Sequence, residues 1–119
     1  MHTIVFITRR LPHLTHDGFV EHYRQVHAPL ARRLPGLVEY RQMPIRRDYK
    51  WEGQDPSYDA VSVYAFESDE AAVAAWESPE GIVLNEDTVK FMDWNTILAF
   101  PGASFDTLLP ELRDQANHG

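Results

Sequence analysis

The sequence contains no cysteine. That absence excludes disulfide frameworks, thiolate zinc sites, iron–sulfur clusters and cysteine nucleophiles together. No apolar run approaches the roughly 18 residues needed to cross a bilayer. The opening MHTIVFITRRLPH lacks the basic-then-apolar order and small-residue cleavage site of a signal peptide. There is no glycine-rich phosphate loop, no G-x-S-x-G elbow and no H-E-x-x-H pair. A soluble cytoplasmic chain without membrane contact is the expectation. Basic residues are also scarce, 11 Lys and Arg against 18 Asp and Glu, for a net charge of −7. Residues 1–50 hold nine basic and four acidic side chains (+5), and residues 51–119 hold two and fourteen (−12). The basic pairs are separated by apolar segments, so they form no continuous stripe for nucleic acid.

What is present is enough for one ordinary domain: 119 residues, 44% of them hydrophobic, with no repeat or low-complexity tract. Residues 3–8 (TIVFIT) are a β-branched and aromatic run, expected as a strand buried on both faces. Thr15 or Asp17 can cap a helix. Phe19, Tyr23, Val26, Leu30 and Leu34 then recur every three or four residues as one buried stripe. Pro29 interrupts it, so a kink or re-initiation is expected near Ala28, and Pro35-Gly36 ends the helix. Residues 37–45 predict a second strand, with Pro44 suited to an edge. A polar loop over 47–57 leads to a third strand over 58–66. Ser68 opens a second helix through Trp76, and Ser78-Pro79 restarts it as far as about Phe91. Residues 94–100 predict a fourth strand.

The order β-α-β-β-α-β is the ferredoxin-like split βαβ arrangement. It predicts an α+β fold with a four-stranded antiparallel sheet and both helices on one face, because each crossover is right-handed. Residues 1–102 make up this domain, and 103–119 are expected as a tail or short helix. The sheet face without helices needs a partner if it is apolar, and a second copy of the same face is the simplest one.

Among six histidines, His27 alone falls on the helical stripe, with His22 about 140° away around the helix. A buried histidine is ordinarily a hydrogen-bonded structural residue, but the Pro29 kink beside it suits a cavity wall. On the third strand Ser62, Tyr64 and Phe66 share one face, and Val61, Val63 and Ala65 the other. The aliphatic set is expected to pack on the helices. The open face would then carry Ser62, Tyr64 and Phe66 with Val38, Tyr40 and Gln42 and with Thr96, Leu98 and Phe100, a cavity for a small aromatic ligand. Both tyrosines also suit a plain interface. His13, His16 and His22 lie close in sequence but lack ligand spacing, so no metal is expected. Asp93 is expected to cap the helix-to-strand turn.

Four stretches carry a family resemblance: FVEHYRQVHAPL (19–30), PGLVEY (35–40), YDAVSVYAF (58–66) and EDTVKFMD (86–93). With these the chain resembles the EthD family of the dimeric α+β barrel superfamily. The resemblance implies a homodimer whose sheets pack face to face into a barrel, each subunit keeping its own cavity, and, as for most members, no organic cofactor. Relatives include muconolactone isomerases, fungal dehydratases and decarboxylases of polyketide aromatics, and proteins of ether-degradation clusters. In the isomerase branch the acid/base histidine falls on His27 and a cavity tyrosine on Tyr40. That branch also carries a cysteine where this chain has Tyr64.

The expected function is therefore a cofactor-independent lyase, isomerase or cyclase that moves a proton on an aromatic or lactone-type small molecule. His27 is the general acid/base, with Tyr40 and Tyr64 hydrogen-bonding the developing negative charge. His22, Tyr23, Gln42, Ser62, Phe66, Thr96 and Leu98 are the expected substrate contacts. A cofactor-free oxygenase of a phenolic substrate and a non-catalytic ligand- or haem-binding accessory protein are the alternatives.

Overall fold

Short polar side chains start three of the helices. Thr15 accepts a hydrogen bond from the Gly18 backbone N–H (3.0 Å), Ser68 from Ala71 (3.1 Å) and Ser78 from Gly81 (3.1 Å). In the computed structural model, which describes residues 1–105 and 107, the order is β1 (His2–Thr8), α1 (His16–His22), a π-helical turn (Tyr23–His27) and α2 (Ala28–Ala31). Next come β2 (Leu37–Pro44), β3 (Ala60–Phe66), α3 (Asp69–Glu77), α4 (Pro79–Phe91) and β4 (Leu98–Gly102). The sheet is antiparallel with strand order β2-β3-β1-β4, the ferredoxin-like topology expected from the element order. The expected segment 103–119 lies outside the described residues except for 103–105 and 107. Among the described residues no helix is long and apolar enough to cross a membrane.

Pro29 does not break the first helix. Ala28 donates its N–H to the Tyr23 carbonyl, five residues back, and the backbone stays right-handed throughout. A π turn of this kind fits one extra residue into the helix. It thereby moves the buried stripe by one position. Val26 is 44% exposed, and His27, Ala28 and Ala31 are buried in its place. Gly36 ends the segment at φ +74°, a left-handed conformation that favours glycine.

The sheet is turned over relative to the expectation. Tyr64 and Phe66 pack under the helices with Ala31, Ala72, Ala75 and Leu84. Val5, Val61 and Val63 occupy the opposite strand positions, together with Leu98 and Phe100, which are 38% and 54% exposed. The reason is volume. The buried face of α3 is built from alanines, so large sheet side chains fill the space between the layers. Ser62, Tyr64, Phe66, Tyr40 and Gln42 therefore lie on the helix side, not on the open face. A β-bulge between Leu37 and Glu39 takes Val38 out of the alternation. The fourth strand is shorter than expected, because Trp94–Thr96 forms a 3-10 turn capped by Asp93.

A buried carboxylate ties the ends of three strands together. Asp59 accepts from the Arg10 backbone N–H (2.8 Å), Arg10 Nη1 (3.0 Å), His16 Nδ1 (2.7 Å) and Arg47 Nη2 (2.9 Å). Burial alone would raise its pKa, but these donors outweigh burial and hold it below the ordinary 3.8. A depressed carboxyl contributes stability that is complete above its unfolded pKa and lost as pH falls through the folded value. Asp59→Ala is expected to cost roughly 2–3 kcal/mol at pH 7 by urea unfolding. That is less than a fully buried pair would, because Arg10 and Arg47 remain 41% and 31% exposed. The difference from wild type should shrink below about pH 4.

Candidate functional site

The π turn points His27 into the space between the helices and the sheet. Its Nδ1 lies 2.8 Å from Asp87 Oδ2. A carboxylate only accepts, so Nδ1 carries the hydrogen, and the neutral ring presents the Nε2 lone pair on its other side. Among the described residues Nε2 has no protein partner. Burial lowers the His27 pKa below 6.5. Asp87 raises it again in part, and His22 lowers it. The imidazole is thus a neutral base near pH 7. Asp87 also accepts from His22 Nε2 at 2.9 Å through Oδ1, and Phe91 packs against both imidazoles.

His27 is part of the wall of a cavity of about 260 Å³, with Phe6, Ser62, Tyr64, Trp76, Thr88 and Trp94 among its other lining residues. A cavity of roughly 150 Å³ holds a benzene molecule, so this one has the volume for one or two rings. Phe6, Tyr64 and Trp76 meet edge-on with ring centroids 5.3–5.8 Å apart, an arrangement that fixes the aromatic walls. The Tyr64 pKa is raised well above 10 by burial first and then by Tyr40. Tyr64 therefore keeps its proton at neutral pH.

The expected site residues separate into three groups. His27, Tyr64 and Ser62 meet at the cavity. Tyr23, Tyr40 and Gln42 stand behind it. The Tyr23 hydroxyl bonds Ser62 Oγ, and Gln42 Nε2 donates to the Tyr40 hydroxyl (2.8 Å) and to the Tyr23 carbonyl of the π turn (2.6 Å). Burial raises the pKa of both tyrosines. Tyr23 thus braces Ser62 in the wall, and Gln42 braces the π turn. Phe66 is core, Leu98 faces outward, and Thr96 is held by the Asp93 carbonyl (3.2 Å) in the 3-10 turn. His22 touches Asp87 and is not among the lining residues. His16 and His22 turn to different carboxylates, and among the described residues no group of three His, Cys, Asp or Glu is placed to hold a metal.

Asp87 is the residue that sequence reasoning missed. It had a signal: Gly81, Leu84, Asp87, Thr88 and Phe91 form the buried stripe of α4. A carboxylate on such a stripe needs a partner.

A profile described as the EthD domain matches residues 11–95. No curated protein matches the sequence. Among solved structures, an ethyl tert-butyl ether degradation (EthD) family protein from Bacillus halodurans is similar at 22% identity and TM-score 0.72, over 88% of this chain and all of that one. A dimeric ferredoxin-like protein of unknown function from Thermobifida fusca has 16% identity and TM-score 0.68, over 87% of this chain and 90% of that one. SnoaB, a cofactor-independent oxygenase from Streptomyces nogalater, has 17% identity and TM-score 0.64, over 91% of this chain and 96% of that one. At these identities the structures speak to the fold alone, and the domain profile speaks to the family. By that profile the chain belongs to the EthD family.

Proposed function

We propose that this chain is a cofactor-independent enzyme in which His27 removes a proton from a one- or two-ring aromatic or lactone-type molecule. The observation that carries the reading is a buried imidazole held through Nδ1 by the Asp87 carboxylate and sharing a cavity with Tyr64, where burial favours the neutral form of both rings. The Nε2 lone pair takes the proton from an acidic C–H or O–H, and the imidazolium keeps its Nδ1–H on Asp87. The electron pair left behind delocalises onto a ring or carbonyl oxygen, where the Tyr64 hydroxyl donates to it. Asp87 stabilises the cation formed on His27, as the buried aspartate does in a Ser-His-Asp triad. Returning the proton at another atom is isomerisation, and losing a leaving group is a lyase step. Attack of the same anion on a carbonyl closes a ring. A second reading, favoured by the structural similarity to SnoaB, has the anion reduce dioxygen. Both begin with the same proton transfer.

Hydrogen–deuterium exchange into 2-tetralone, a two-ring carbon acid, and into a butenolide, followed by NMR in D2O, measures that first step directly. The wild-type chain should accelerate exchange, and His27→Ala should lose roughly 10²- to 10⁴-fold. A depressed histidine pKa leaves the base form populated above it, so the rate should be flat at neutral pH and fall on acidification only below pH 6.5. Near-wild-type exchange in His27→Ala would contradict the reading. An oxygen electrode separates the two outcomes for the anion.

We also propose a homodimer through the outward sheet face. Support comes from the apolar Val5, Val61, Val63, Leu98 and Phe100, which no helix of the described residues covers, and from structural neighbours described as dimeric. Light scattering should give twice the 13.7 kDa chain mass. Leu98→Glu, which buries a carboxylate in that contact, should give monomer or aggregate.

A further inference from the structure

Two imidazoles share one buried carboxylate, and the proposed reaction uses only one of them. His22 and His27 are five residues apart, a spacing that diverges by about 140° on an α-helix. The π turn between them bonds each N–H to the carbonyl five residues back, and this wider turn brings the two side chains nearer one face, so both rings reach Asp87, through Nε2 to Oδ1 and through Nδ1 to Oδ2. The two differ in access: the His27 side chain is 4% exposed and His22 27%. Phe91 packs against both rings, at 4.4 Å from His22 and 4.9 Å from His27.

We propose that His22 is a positioning residue that sets the tautomer and proton affinity of His27 through Asp87. This rests on the reading of His27 as the base. With Oδ1 anchored by His22, the carboxylate cannot rotate, and Oδ2 stays on His27 Nδ1. The second donor also draws electron density from the carboxylate, so Oδ2 stabilises an imidazolium at His27 less strongly than a singly bonded carboxylate would. His27 then remains a neutral base at a pH where a free His–Asp pair would hold it protonated. Among the described residues, the groups facing His27 leave no other tuning charge. Tyr23 stacks on it from its own segment and Tyr64 lies across the cavity from β3, and burial keeps both neutral. Asp87 is the charged group facing it from α4.

The test needs no substrate. Ring-nitrogen NMR of ¹⁵N-histidine-labelled protein reports the tautomer and titration midpoint of each imidazole separately. In wild type, His27 should be Nδ1-protonated at pH 7, with a midpoint below 6.5. In His22→Leu, which removes the donor, the midpoint should rise by roughly 0.5 pH or more. The Nε2–H tautomer should also appear in His27. His22→Gln keeps a donor within reach of Oδ1 and should hold the tautomer, with a midpoint between the other two. A folded His22→Leu with the wild-type midpoint and tautomer would show that His22 is only structural. If that variant does not fold, His22→Gln decides, and an unmoved midpoint overturns the proposal. Either failure leaves the His27 exchange experiment standing, because that one reads the base itself.

Discussion

One missing backbone donor organises the site. Pro29 has no N–H to give, and its ring crowds the carbonyl one turn back, so a regular α-helix cannot run through it without cost. The chain answers with a five-residue π turn, in which Ala28 reaches the Tyr23 carbonyl. Gln42 from β2 donates to that same carbonyl. The change of phase exposes Val26, keeps His27 on the buried stripe one turn after Tyr23, and lets His22 and His27 reach the same carboxylate of α4. A backbone irregularity at a functional position is common for π turns, and here its effect is to aim one ring.

The second constraint is the division of volume between sheet and helices. Alanines on α3 leave a gap, and Tyr64, Phe66, Phe6 and Trp76 fill it with rings. Between these rings and the end of α4 the filling is incomplete, and the cavity remains. The same choice leaves valines and Phe100 on the outer face. Strand parity told which residues share a face, and Ser62, Tyr64 and Phe66 do share one. It could not tell which face the helices cover. Hydrophobicity pointed the wrong way, because aliphatic residues were assigned to the core and aromatic ones to the opening. The small residues of α3 were the better guide, since a face of alanines requires large partners. The correction strengthens the site, for it brings Tyr64 and Ser62 to the same cavity as His27.

The fold was legible because its signals are local. Thr15, Ser68 and Ser78 cap the helices they were expected to cap, Pro44 lies at the end of an edge strand, and the element order leaves one topology. Single residues of the site were less legible. Asp87 gains its meaning from His22 and His27, 65 and 60 residues away, and such pairing leaves no trace in a short window. Tyr23 and Gln42 have the chemistry of ligand contacts, but Tyr23 bonds Ser62, and Gln42 donates to the Tyr40 hydroxyl and to the π turn. A polar residue on an inward face is as often scaffolding as function.

The central claim is that the helix-side cavity, and not the outer sheet face, receives the ligand. A crystal structure with bound 2-naphthol, a two-ring phenol matched to about 260 Å³, tests it most directly. The account predicts the naphthol ring against Phe6, Tyr64 and Trp76, with its hydroxyl donating to His27 Nε2. Naphthol seated instead over Val63 and Phe100 on the outer face, with the cavity empty, would contradict it.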